Sequence, residues 1–279
     1  MEVHRMNFEK KMGDSTSVRI SEVVEENEET RTLFFQHRVE DLQVIAGHFF
    51  MIWIPGVDEI PMSISYWNRP ILGISVLPIG DATRALASRK VGDWIGIRGP
   101  FGRPFSLDTR RALVVGGGIG AAPLRLLTYQ LLARDTEVTL LLAARTKDSL
   151  VYFEEFSGLE VPGFQLEVAT DDGSLGFKGL ATEAAKEILK RERFNSLYTC
   201  GPEAMMKDLY LTATKHDLQF EASVERYMKC GCGICGTCAL DPTGDLVCLD
   251  GPVFSGKKLS EVSDFGISTR DEMGRKKKC

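Results

Sequence analysis

The chain has 279 residues, with 34 Lys+Arg against 39 Asp+Glu for a net charge of −5. Apolar residues are 43% and charged residues 26%, an ordinary globular balance that allows about two domains without disulfide staples and argues against nucleic acid as a partner. No run reaches the roughly 18 apolar residues of a membrane span, and the charged stretch Met1 to Thr16 lacks a signal-peptide core, so the cytoplasm is the expected location.

Residues 17 to 106 read as short strands. Ser17 to Val24 and Arg31 to Arg38 partly alternate; Phe49 to Ile54, Met62 to Tyr66, Ile71 to Leu77 and Asp93 to Arg98 are further β-type runs. Gly, Pro and Asp punctuate them. Asp81 to Lys90 is the one helical stretch here, and six strands with one helix predict an antiparallel barrel.

From about residue 107 strands and helices alternate. The run Arg111 to Val115 ends in a glycine turn, and helix is predicted over Ala121 to Arg134. Strand follows at Glu137 to Ala144 and Phe164 to Ala169, helix at Gly179 to Arg193, strand at Ser196 to Cys200, helix at Glu203 to His216, and strand at Phe220 to Val224. This spacing predicts a doubly wound parallel sheet. The fold class is thus a β barrel plus an α/β domain. The boundaries read as 15–106 for the barrel, 107–225 for the α/β domain, 226–254 for an appended cysteine module and 255–279 for a polar tail. The run Arg275 to Lys278 reads as a solvated, frayed end.

Five of the seven cysteines, Cys230, Cys232, Cys235, Cys238 and Cys248, fall in that module. A local cluster in a large, otherwise Cys-poor chain points to a metal or iron–sulfur site rather than to disulfides. Cys230-x4-Cys235-x2-Cys238 has the spacing of the plant-type [2Fe–2S] loop, with Cys248 as a fourth thiolate. Gly231, Gly233 and Gly236 permit the tight loop. A structural zinc site is the alternative, but zinc prefers separate C-x2-C knuckles. Cys232 is surplus to the count.

Gly116 to Gly120, a glycine turn between strand and helix, can let a pyrophosphate approach the backbone at the positive helix end. It lacks the G-x-G-x-x-G register, and glycines also serve plain strand–helix packing. Arg145, after the next strand, either meets a phosphate or ribose or lies on the surface. Cys200 is either a small buried residue or a site residue at a strand's carboxyl end that contacts a cofactor without being oxidised. Thr83 either offers its hydroxyl to a phosphate or closes its own helix start. The four histidines, at positions 4, 37, 48 and 216, form no metal-type pair.

In this order the motifs resemble the ferredoxin-NADP⁺ reductase superfamily, over about residues 15 to 255. The elements carrying the resemblance are Pro61-Met-Ser-Ile-Ser65, Ala82-Thr83-x-x-Leu86, Gly99-Pro-Phe-Gly102, Gly116 to Gly120 with Pro123, and Cys200-Gly-Pro202. The segments Met228 to Cys238 and Val247 to Phe254, with Thr170 to Gly179, make the chain similar to the electron-transfer subunits of type B dihydroorotate dehydrogenase. Sister families are the small subunits of sulfhydrogenases, sulfite reductases and NADH-dependent ferredoxin:NADP⁺ oxidoreductases. In the last an Asp tends to replace the first cluster Cys, and here Cys230 stands there.

The resemblance implies FAD, a [2Fe–2S] cluster and NAD(H), and a hetero-oligomer with an FMN-containing dihydroorotate dehydrogenase catalytic subunit. It implies that Pro61, Met62, Ser63, Ile64 and Ser65 line the flavin, that Ala82 and Thr83 bind its diphosphate, and that Gly99 borders it. Gly116, Gly117, Gly118, Gly120 and Pro123 would pass between flavin and nicotinamide. Arg145, Asp171, Asp172, Cys200, Gly201 and Pro202 would border the NAD site. Cys230, Cys235, Cys238 and Cys248 would hold the cluster. One departure stands out: the superfamily has an Arg shortly before the flavin-contact Ser, and this chain has Glu59-Ile60-Pro61 there. Arg84 or Arg69 is the expected substitute. The alternative of another class is a zinc-binding interaction module on a degenerate reductase scaffold.

Overall fold

The computed structural model describes residues 15–37 and 43–278. The readings made on Met1 to Asp14, on Arg38 and on Cys279 lie outside the described residues. Six strands close an antiparallel barrel: β1 (Thr16–Glu25), β2 (Arg31–Gln36), β3 (Phe49–Ile54), β4 (Asp58–Asn68), β5 (Ile71–Val76) and β6 (Trp94–Phe101), in the order β1-β2-β5-β4-β3-β6. Inward residues such as Ile20, Leu33, Phe35, Phe50, Ile52 and Ile64 fill it, as expected of a small barrel whose interior is side chains. Helix α1 (Asp81–Ala87) turns Leu86 and Ala87 inward.

The second sheet alternates as predicted: β7 (Arg111–Gly117), α2 (Ala121–Leu132), β8 (Glu137–Ala144), β9 (Phe164–Thr170), α4 (Ala181–Arg191), β11 (Ser196–Cys200), α5 (Glu203–Lys215) and β12 (Gln219–Ser223). Two short elements escape the periodicity, α3 (Phe153–Ser157) and β10 (Phe177–Lys178). Neither is long enough to express a repeat. The order is β10-β9-β8-β7-β11-β12-β13, where β13 (Val253–Ser255) pairs antiparallel with β12. β7 and β11 are buried almost throughout, as strands covered on both faces must be. Sheet growth reverses between them, so their shared carboxyl edge is a topological switch point.

Helix α2 joins the two halves. It packs on β4 of the barrel as well as on β7 and β8. Its Gln130 accepts from Ala46 N at 2.9 Å and donates to Val44 O at 3.0 Å.

The polar-tail reading is corrected. After the cysteine loop come α6 (Val247–Asp250), β13, α7 (Gly256–Leu259) and a hairpin of β14 (Ser268–Arg270) and β15 (Lys276–Lys278). Leu259, Val262 and Phe265 are buried in the core. Lys276 is no frayed end: its ammonium lies 3.0 Å from Asp241, and Arg270 reaches the same carboxylate at 2.6 Å. Apolar residues spaced through a polar segment are what the composition-based reading passed over.

Candidate functional site

The parallel register gathers the glycine turn and the nucleotide residues. Gly116 lies opposite Cys200, Cys200 opposite Ser223, and Ala144 opposite Thr170. Gly116 to Gly120, Arg145, Asp171, Asp172 and Cys200 to Pro202 therefore share one carboxyl edge. The turn after β7 tolerates no side chain. A Cβ on Gly120 would stand 2.4 Å from the Cys200 carbonyl oxygen, and one on Gly117 2.9 Å from Met205 Sδ. Gly117 and Gly118 face the cleft, whereas Gly116, Gly120 and Pro123 are buried and act by letting backbones close up.

Arg145 is exposed. Its carbonyl accepts from Asp172 N at 3.2 Å, joining the β8 and β9 ends. The Asp172 carboxylate takes both donors of Ser174 and is held below the usual carboxylate range by them. Asp171 is exposed beside it. Cys200 is 2% exposed. Burial first, and then the Glu225 carboxylate, push its thiol well above the ordinary range. Its thiol belongs to the core, and what it offers the edge is backbone.

The barrel brings part of its predicted set to this edge. Arg125 of α2 donates to Ser65 O at 3.2 Å, so β4 runs beside the helix that follows the glycine turn. Pro61, Met62 and Ser63 are half-exposed along it. Ile64 and Ser65 are fully buried. A bulge between Ile64 and Tyr66 turns the strand inward. The Ser65 hydroxyl joins an internal chain with Ser75 (2.8 Å), Thr32 and Tyr152.

The Thr83 hydroxyl is engaged locally. It accepts from Ile79 N at 3.0 Å and Gly80 N at 2.9 Å and donates to Gly80 O at 3.0 Å. One donor and two lone pairs are then all used, and the hydroxyl closes its own turn. Neighbouring Ala82 is half-exposed. Arg84 is paired with Asp81 at 2.8 Å, and Arg69 is exposed before a cis proline.

Gly99, at φ 141°, could not carry a side chain: a Cβ would meet Phe50 Cδ1 at 2.8 Å. It turns the chain at the end of the barrel, and Gly102 packs on Pro252 at the end of the cysteine module.

Glu59, the departure noted in the sequence, has a definite partner. Its carboxylate takes Arg98 Nε at 3.1 Å and Nη2 at 2.7 Å. The same Nη2 donates to the Cys230 carbonyl at 2.9 Å. Sequence reasoning missed Arg98, and the acid standing where a base was due was the available signal.

The cysteine loop lies against the barrel, where Gly231 meets the Met51 side chain. Gly231, Gly233 and Gly236 all have positive φ, of 68°, 81° and 72°. Backbone N–H groups point at sulfur: Gly233 N to Cys248 Sγ at 3.2 Å, Ile234 N and Cys235 N to Cys230 Sγ at 3.3 and 3.5 Å, and Cys248 N to Cys238 Sγ at 3.5 Å. Thr237 Oγ1 donates to Cys235 Sγ at 3.3 Å. Burial opposes ionisation of Cys230, but the N–H groups of Cys232, Cys235 and Ile234 outweigh it and bring the thiol down to about 6. Cys238 is lowered by its bond with the Cys248 thiol, which moves up in turn.

The Cys238 and Cys248 thiols lie together, and the Cys230 thiol lies beside those of both Cys235 and Cys232. Among the described residues no group of three or more Cys, His or carboxylates gathers around one ion. Four thiols in one short loop, with N–H groups aimed at their sulfurs, suit a [2Fe–2S] cluster. Cys232 is buried; desolvation and then the Cys230 charge raise its thiol.

Comparison with known proteins agrees with this architecture. Residues 225–260 match the iron–sulfur cluster binding domain of dihydroorotate dehydrogenase B, and residues 114–210 the oxidoreductase NAD-binding domain. The chain is 43% identical over 258 residues to the probable dihydroorotate dehydrogenase B (NAD(+)), electron transfer subunit, of Methanocaldococcus jannaschii, covering 92% of this chain and 96% of that protein. It is 42% identical to the protein of the same description from Methanothermobacter thermautotrophicus, covering 93% and 96%. Among solved structures, an NADH-dependent reduced ferredoxin-NADP oxidoreductase aligns with a TM-score of 0.78 at 30% identity, over 88% of this chain and 89% of that one. A ferredoxin NADP⁺ reductase from Neisseria gonorrhoeae shares the fold, with a TM-score of 0.63 at 19% identity over 72% and 91%. Among the described residues no helix is long and apolar enough to cross a membrane. With its cluster-binding module, its NAD-binding sheet and its reductase-type barrel, the chain is an oxidoreductase that belongs to the family of electron transfer subunits of dihydroorotate dehydrogenase B (NAD(+)).

Proposed function

We propose that this protein relays electrons between NAD(H) and a partner FMN-containing dihydroorotate dehydrogenase subunit, through FAD and a [2Fe–2S] cluster, in the cytoplasm. The net reaction joins dihydroorotate and NAD⁺ to give orotate, NADH and a proton. The observation that carries the reading is the juxtaposition of three features: clustered thiols, the half-exposed Pro61–Ser63 strand and the glycine edge at the switch point. When bound, the flavin and the cluster together supply the exchange of a two-electron hydride for single electrons.

The chain's own residues position and insulate. Cys230, Cys235, Cys238 and Cys248 would hold the cluster, and the N–H groups aimed at their sulfurs favour the thiolate form. Gly117 and Gly118 would give the nicotinamide and flavin rings room to approach. Arg145, Asp171 and Gly201 would border the dinucleotide. Cys235 is exposed and flanked by exposed Ile234, which suits a loop that faces a partner across a short gap. No side chain here need hold a reacting proton, consistent with a site of glycines and sulfurs.

The test is co-purification with the partner from native cells, followed by assay of dihydroorotate-dependent NAD⁺ reduction and of iron content. Activity with about two irons per chain supports the relay. A colourless, zinc-loaded chain, or a partner inert toward dihydroorotate, overturns it. In the same preparation Cys235→Ser loses the cluster and partner-linked activity while FAD stays bound, and Cys232→Ser keeps the cluster. Cluster loss in the second variant would mean that the ligand set is wrong.

A further inference from the structure

Arg98 touches both β4, through Glu59, and the cysteine loop, through Cys230. It projects from β6 with its side chain only 14% exposed, and Glu59 on β4 is 29% exposed. Its guanidinium engages the carboxylate through two donors, at 3.1 and 2.7 Å, and Cys230 O at 2.9 Å. It also stacks 5.2 Å above the Phe101 ring. A planar fork held in this way has little freedom. Its charge therefore sits at a fixed place beside the first cysteine of the loop, in surroundings that screen it less than water does. The Glu59 carboxylate lies one guanidinium further away and opposes it. The pair is close to neutral as a whole but oriented, with its positive end toward the loop.

Resting on the relay reading above, we infer that Arg98, oriented by Glu59, is a positioning residue that fixes the Cys230 backbone and sets the reduction potential of the cluster. A positive group beside a centre that gains negative charge on reduction favours the reduced form. Loss of Arg98 leaves the Glu59 carboxylate near the loop and shifts the potential down. Loss of the Glu59 charge leaves Arg98 less compensated and shifts it up. The two substitutions therefore act in opposite directions, which a merely structural tie would not produce. The same pair ties β4 to the cysteine loop.

The experiment is an EPR-monitored redox titration of the anaerobically purified, cluster-loaded full chain and of Arg98→Gln, Arg98→Lys and Glu59→Gln. Arg98→Gln should lower the midpoint and Glu59→Gln raise it, each by up to about tenfold in the one-electron equilibrium, or about 59 mV. Arg98→Lys, which keeps the charge but not the fork, should fall between wild type and Arg98→Gln and broaden the EPR signal. If Arg98→Gln cannot retain its cluster, the Glu59→Gln and Arg98→Lys titrations decide. Unchanged midpoints and line shapes in the cluster-bearing variants, or shifts of the same sign in Arg98→Gln and Glu59→Gln, overturn the inference. A wild-type chain with no reducible cluster overturns the relay reading instead, so the two failures are distinct.

Discussion

The sheet edge after β7 and the cysteine loop are both built on glycine-rich backbone, yet they are stabilised in opposite ways. The edge is the end of a parallel sheet whose strands are buried on both faces, with Val114, Leu140 and Leu197 at 0 or 1% exposure. Packing there fixes the backbone whether or not a ligand is present. The loop has almost no regular structure between Met228 and Leu246. It is held by left-handed glycines, by N–H contacts to sulfur and by a few long-range polar ties. The edge is preformed by hydrophobic burial, whereas the loop depends on single residues, each with a disproportionate effect.

Arg226 offers the largest break in that contrast. Its side chain is 1% exposed and lies between Glu203, at 9%, and Asp264, at 4%. Glu203 also accepts from Gly266 N at 3.0 Å. One buried cation thus ties the strand leading into the cysteine loop to α5 and to the C-terminal segment. Arg226→Ala leaves two buried carboxylates uncompensated and should cost about 3–5 kcal/mol, read as a drop in the urea midpoint of the whole chain.

On the preformed side, Gly120→Ala drives a methyl into the Cys200 carbonyl oxygen. The backbones of β7 and β11 must part, at a cost of about 1–3 kcal/mol. Titration of the purified variant with NAD(H) should show weakened binding, with iron content unchanged. If cluster content falls instead, the two regions are less independent than their construction implies.

A smaller effect is expected at Thr83. Because its hydroxyl closes its own turn, Thr83→Ala should lose about 1 kcal/mol of stability and leave FAD content per chain unaltered. A variant purified without flavin would restore the phosphate-binding role that the hydrogen bonds argue against.

The smallest is a pH effect in the barrel. Burial pushes the Glu26 carboxyl above its ordinary value, against the lowering effect of the Thr32 hydroxyl. The fold binds that proton more tightly than the unfolded chain does. This contribution is full below the unfolded pKa and fades as pH rises through the raised one. Glu26→Gln carries no such proton, so urea unfolding between about pH 4 and pH 7 should show the variant gaining on wild type as pH rises.

Much of this molecule is legible without coordinates, for a local reason. The six barrel strands and the alternating sheet follow from periods of two and 3.6 residues and from glycine and proline punctuation. The cysteine spacing specifies a sulfur-ligated centre because a tight loop can bring Cys230, Cys235 and Cys238 together by itself. The elements that escape, α3, β10 and the terminal hairpin, are too short to carry a period.

The tertiary structure alone decided which members of a motif face the cleft. Ile64 and Ser65 are buried and the Thr83 hydroxyl is engaged in its own turn, which their sequence context does not reveal. A strand bulge and an exhausted hydrogen-bonding capacity are properties of a folded neighbourhood. It alone also supplied the partner of Glu59. Arg98 and Cys230 are 132 residues apart in the chain, and no local pattern encodes a contact at that separation. By itself the sequence determined what kinds of group this protein holds. Which side chains hold them in register was decided by long-range packing, because loop closure over such distances is set by the whole core rather than by neighbours in the chain.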